Sequence, residues 1–102
     1  MKEEEVKSLI QYRLEQAETA LEDARFLLEG GRSPQSIVNR AYYAMFYAVL
    51  ALLQKIGKVP LKHTGLISLF DTEFALKGLF PKELSRDFHR AFELRQASDY
   101  KT

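Results

Sequence analysis

One stretch leaves this chain little freedom. From Pro34 to about Ile56, apolar residues recur on almost every side of a helix: Ala41, Ala44, Ala48 and Ala51 form a stripe of small side chains, widened by Ile37, Met45, Val49 and Leu52. Only Ser36, Asn39, Arg40, Tyr43, Tyr47 and Gln54 make a weakly polar flank. A helix that is apolar nearly all round must be covered by other elements, and small residues let one of them approach closely. The segment is expected at the centre of a helical domain. Its longest apolar run, Ala41 to Leu53, is shorter than the ~20 residues that cross a bilayer, so a buried helix is expected and no membrane contact.

The other segments share the helical period. From Glu3 to Glu29, Ile10, Leu14, Ala17, Leu21, Ala24 and Leu28 are spaced alternately four and three apart, a heptad-like seam that predicts a helix with these six residues inward. Gly30-Gly31 ends it, because glycine accepts the left-handed conformation. Ser33-Pro34 opens the central helix with a capping hydroxyl and a proline at the first helical position, and Gly57 closes it. A third helix starts near Lys62-His63-Thr64-Gly65, turns Leu66, Ile67, Phe70 and Phe74 inward, and breaks around Gly78. Pro81 starts the fourth. No stretch alternates at period two, so the expected class is all-α, an antiparallel up-and-down four-helix bundle. With 102 residues the chain is expected to form a single domain, residues 1–102.

The last helix carries the residue that points to function. At 100° per residue, Leu84, Phe88, Ala91 and Arg95 share one stripe, while Lys82, Arg86, His89, Arg90 and Glu93 turn away toward solvent. A guanidinium does not shed its proton in an apolar environment, so at that position it must be paired, hydrated or facing a groove. Asp99 lies one turn later on the same side. The pair reads either as an internal ion pair or as the polar floor of a site. Arg before Asp is the less favourable order for the helix dipole, which argues against stability as the sole reason for it.

Further candidates lie elsewhere. Tyr43 and Tyr47, one turn apart beside Arg40, fit either base stacking next to a phosphate contact or a helix–helix or subunit interface. His63, at the start of the third helix, fits either a share in an anion site with the free amides or a simple cap. The two histidines show no metal-ligand spacing, and no phosphate-cradling glycine loop, nucleophile elbow or dinucleotide fingerprint occurs, so neither metal nor cofactor is expected. A net charge of +1 restricts nucleic-acid binding to a local basic patch. The absence of cysteine fits a reducing cytoplasm, and the Met1–Glu5 start lacks the apolar core of a signal or transit peptide.

Three blocks in order, Asn39-Arg40-Ala41-Tyr42-Tyr43-Ala44-Met45-Phe46, Lys62-His63-Thr64-Gly65 and Glu93-Leu94-Arg95-Gln96-Ala97-Ser98-Asp99-Tyr100, resemble the small prokaryotic HEPN-domain proteins from about residue 5 to residue 100. The resemblance implies a bundle of four or five helices that dimerises, with the arginine-bearing last helices lining a shared cleft. It also implies a place among toxin–antitoxin or defence proteins, many of them ribonucleases encoded beside a minimal nucleotidyltransferase that neutralises them. Their signature of arginine, a polar residue, three variable residues and histidine falls on Arg95, Gln96 and Tyr100, with tyrosine at the histidine position. Tyrosine titrates near ~10 rather than near ~6.5, which makes it a poor general base at neutral pH. Relatives commonly continue into another helix, so a short or truncated member without the fifth helix is expected.

These readings combine into a dimeric nucleotide- or RNA-binding module, partner of a minimal nucleotidyltransferase, with Arg95, Asp99, Tyr100, Arg40, Tyr43 and His63 at its site. The alternatives are a metal-independent endoribonuclease, with His63 or Tyr100 handling protons, and a pure protein-interaction module.

Overall fold

The computed structural model describes residues 2–100, the side chain of Tyr100 excepted. Four α-helices follow one another: α1 (Glu3–Glu29), α2 (Pro34–Lys55), α3 (His63–Phe70), continued by a π-helical turn (Asp71–Ala75), and α4 (Lys82–Tyr100). No strand occurs among the described residues, and the all-α bundle is the observed class. α1 and α2 form the long hairpin. At 1.5 Å per residue the 27 residues of α1 span about 40 Å, which sets the 42 Å long axis of the molecule.

The helix ends follow local chemistry. Ser33 Oγ accepts from the Ser36 amide at 3.3 Å with Pro34 first in α2. At the end of α1, Gly31 takes φ 64°, which lets the Arg32 amide reach back to the Leu27 carbonyl at 2.9 Å. The π-helical turn had no sequence signal. Within it the Thr72 hydroxyl donates back to the Ser68 carbonyl at 3.2 Å, in competition with the regular ladder.

α2 is central, as its composition requires. Among the described elements, α1 packs on α2 alone, α3 and α4 pack on α2 and on each other, and the π-helical turn packs on α3 and α4. Tyr42, Val49 and Leu53 join Leu66, Ile67, Phe70, Phe74 and Phe88 in one buried cluster. By length and composition the whole of α2 would suffice to cross a membrane, which the shorter run Ala41–Leu53 had not indicated. Its flanking by α1 and by α3 and α4 accounts for its apolar character equally well.

α1 departs from the expected seam. Its buried residues are Ala17, Ala20 and Ala24, whereas Leu14, Leu21 and Leu28 are 46%, 43% and 65% exposed. The physical reason is the single neighbour. A close crossing against one helix selects the narrow alanine stripe and leaves the leucines beside it uncovered. His89 departs too: its Nε2 lies 2.6 Å from Asp71 Oδ2, linking α4 to the π-helical turn.

Candidate functional site

The site is assembled where the first half of α2, the start of α3 and the last turns of α4 meet. Arg95 is buried, 8% exposed, as its place on the Leu84–Phe88–Ala91 stripe requires. Its guanidinium lies over three rings, 5.0 Å from the centre of Tyr42, 5.7 Å from Tyr43 and 5.9 Å from Phe92. Aromatic faces carry negative charge density and replace part of the hydration that a buried cation gives up. Nη1 donates to Asp99 Oδ2 at 3.1 Å, and Nε is buried with no hydrogen-bond partner. Arg95 is thus held by one carboxylate and an aromatic wall, with donor capacity unused.

Arg40 approaches the same wall from α2. Its Nε and Nη2 donate to Asn39 Oδ1 at 3.1 and 3.0 Å, and its guanidinium lies 5.5 Å from the centre of the Tyr43 ring. The Tyr43 ring therefore neighbours two guanidiniums, Arg40 at 5.5 Å and Arg95 at 5.7 Å. Arg40 and Asp99 border a cleft of about 370 Å³ completed by Leu27, Gln35, Ser36 and Asn39. A second cleft of about 350 Å³ opens on the other side of Arg40 and is bordered by Tyr47.

His63 is the first residue of α3 and is drawn toward the cluster rather than left at the surface. Its ring stacks on Phe46 at 4.5 Å, and its Nδ1 lies 2.8 Å from the Tyr42 hydroxyl. Burial first, and the charge of Arg95 second, hold its pKa below the ordinary 6.5. Burial raises the Tyr42 phenol from 10.0 to about 12 against the opposing pull of Arg95. Tyr42 therefore keeps its hydroxyl proton at every physiological pH.

Five of the six residues singled out in the sequence are brought together: Arg95, Asp99, Arg40, Tyr43 and His63 are linked through the rings of Tyr42 and Tyr43. The sixth, Tyr100, ends α4, and its side chain lies outside the described residues. Tyr42 and Asn39 were missed as site residues. Their signal was adjacency within the block Asn39–Phe46 and, for Tyr42, its place off the polar flank that carries Asn39, Arg40, Tyr43 and Tyr47. The remaining polar cluster is of a different kind. The Ser85 hydroxyl and His89 both meet the carboxylate of Asp71, so serine and histidine share an acceptor and neither activates the other. Among the described residues no three His, Cys, Asp or Glu side chains gather for a metal.

Comparison with known proteins decides the family. The family model described as HEPN domain matches residues 10–102. The chain belongs to the HEPN domain family. Among curated relatives, a UPF0332 protein of Thermotoga maritima is 42% identical over 96 residues, covering 94% of this chain and 72% of the relative. Two proteins of Methanocaldococcus jannaschii carry the name "Putative toxin": one is 34% identical over 96% of this chain and 72% of its own length. The other is 36% identical over 85% of this chain and 58% of its own length. No solved structure matches the chain. Within this HEPN domain the three sequence blocks of the resemblance are the elements that meet at Arg95, since α2, α3 and α4 contribute one block each.

Proposed function

We propose that this HEPN domain is a nucleotide- or RNA-binding module of a toxin–antitoxin-type system, acting in the cytoplasm and neutralised by a minimal nucleotidyltransferase. Arg95 takes a phosphate of the ligand, Asp99 orients its guanidinium, and Arg40 supplies a second cation beside Tyr43, whose ring offers a stacking face. The reading is carried by one observation: a buried guanidinium on an aromatic wall, with Nε unpartnered and one carboxylate as its hydrogen-bonded counter-charge. Such an arrangement leaves donors for an anion, in the way guanidinium planes and aromatic rings together hold single-stranded RNA. The names of the Methanocaldococcus relatives support the toxin–antitoxin setting.

Titration of a short single-stranded oligonucleotide at low salt tests this. Arg95→Ala is expected to weaken binding at least tenfold, about 1.4 kcal/mol, and Arg95→Lys to recover only part of it, because a lysine reproduces the charge but not the planar fork. Unchanged affinity in Arg95→Ala would remove the role. Whether the RNA is recovered intact or cut after incubation in chelator separates a binding module from a metal-independent ribonuclease.

The module is proposed to act as a dimer. The uncovered leucines of α1 and a nearly purely apolar groove of about 160 Å³ between α2, α3 and α4, lined by Met45, Ala48, Leu52, Phe80 and Leu84 among others, support this. Light scattering at micromolar concentration is expected to return twice the 11.8 kDa chain mass, and a monomer would count against a shared cleft.

A further inference from the structure

Tyr42 touches both halves of the site. Its ring faces Arg95 at 5.0 Å, and its hydroxyl meets His63 Nδ1 at 2.8 Å, although no part of Tyr42 reaches solvent. The two ends make different demands. The ring needs only to lie under the cation, whereas the buried hydroxyl needs an acceptor in a fixed place. A neutral imidazole protonated on Nε2 provides that lone pair at Nδ1; an imidazolium carries a proton on both nitrogens and provides none.

We propose that His63 is a positioning residue of the anion site: in its neutral form it fixes Tyr42, and through Tyr42 the guanidinium of Arg95, so that a proton on His63 releases the site. The functional half of this rests on Arg95 being a phosphate ligand, as proposed above.

The surroundings of His63 are arranged for neutrality. From α2 it meets the Tyr42 hydroxyl, the edge of Tyr43 and the face of Phe46. From α4 it feels Arg95, and on its own element it adjoins Lys62 and the free amides that begin α3. Every fixed charge in that set is positive, and among the described residues no carboxylate pairs with His63. Protonation thus removes the acceptor of a buried donor and adds a second cation beside the first. The depressed pKa of His63 is the thermodynamic face of the same arrangement. The sign follows: the folded state refuses a proton that the unfolded chain accepts, so stability is complete above about pH 6.5 and falls as the pH drops below it.

Two NMR signals read the link directly, the His63 imidazole and the Arg95 Nε–H, with His89→Gln used to assign the histidines. His63 is expected to titrate below 6.5, with the Arg95 signal shifting at the same midpoint. Tyr42→Phe raises the His63 midpoint and uncouples the Arg95 signal from it. His63→Gln, whose amide oxygen can accept from Tyr42, leaves the Arg95 signal independent of pH. In the oligonucleotide titration the wild-type protein loses at least tenfold in affinity below the His63 midpoint, and His63→Gln does not. An Arg95 signal unmoved while His63 titrates, or a His63 midpoint indifferent to Tyr42→Phe, overturns the proposal. Coupled signals without RNA binding at any pH leave the positioning link standing and remove the anion-binding role instead.

Discussion

Tyr42→Ala is expected to destabilise the fold by about 3–5 kcal/mol, a large share of the roughly 5–15 kcal/mol that holds a domain of this kind together. The substitution empties a wholly buried position whose ring lies 5.2–6.0 Å from those of Tyr43, His63, Phe88, Phe46 and Phe92. It also strips one wall from the buried Arg95 and leaves His63 Nδ1 without its hydrogen-bond partner. Tyr42→Phe keeps the ring and removes only the hydrogen bond, so about 1 kcal/mol is expected from it. Urea unfolding followed by circular dichroism measures both. Equal midpoints for the two variants would show that the ring is not what fills the site.

Ala20→Leu is expected to cost about 2–3 kcal/mol, although it adds apolar surface to an apolar helix. Ala20 is 2% exposed at the close crossing of α1 on α2, and a leucine there pushes the helices apart. Because α1 has no other neighbour among the described elements, the strain cannot be shared. Leu21→Ala, one position along, shortens a side chain that is 43% exposed and is expected to cost less, about 1 kcal/mol. Hydropathy alone ranks the two changes the other way. Comparing their urea midpoints therefore tests which stripe of α1 faces α2, and a larger loss in Leu21→Ala would reverse the assignment.

The two adjacent positions show where sequence reading held and where it failed. Leu14, Leu21 and Leu28 dominate a seam read by hydropathy, because leucine outweighs alanine on any transfer scale. The closeness of a helix crossing depends on size, and size selected Ala17, Ala20 and Ala24. Arg95 was legible for the opposite reason. A permanent charge among Leu84, Phe88 and Ala91 conflicts with its stripe, and such conflicts mark functional or strained positions. Tyr42 was legible only in part: helical spacing put Tyr43 on the polar flank and left Tyr42 off it, as the buried and half-buried rings bear out, but it did not tell which distant side chains the inward ring meets. His89 was read as solvated because its partner, Asp71, is 18 residues away on another element.

By itself the sequence determined the helical class, the central place of α2, the caps at Ser33 and Gly31 and the burial of Arg95, since each follows from residues within one or two turns of each other. Tertiary structure decided the partners: which face of α1 meets α2, which rings lie under the guanidinium, and that His63 closes the hydroxyl end of Tyr42. The contacts of Tyr42 with His63 and with Arg95 join residues 21 or more positions apart. Local propensity acts over a few residues, and only the packing of three helices brings such distant side chains within reach of one another.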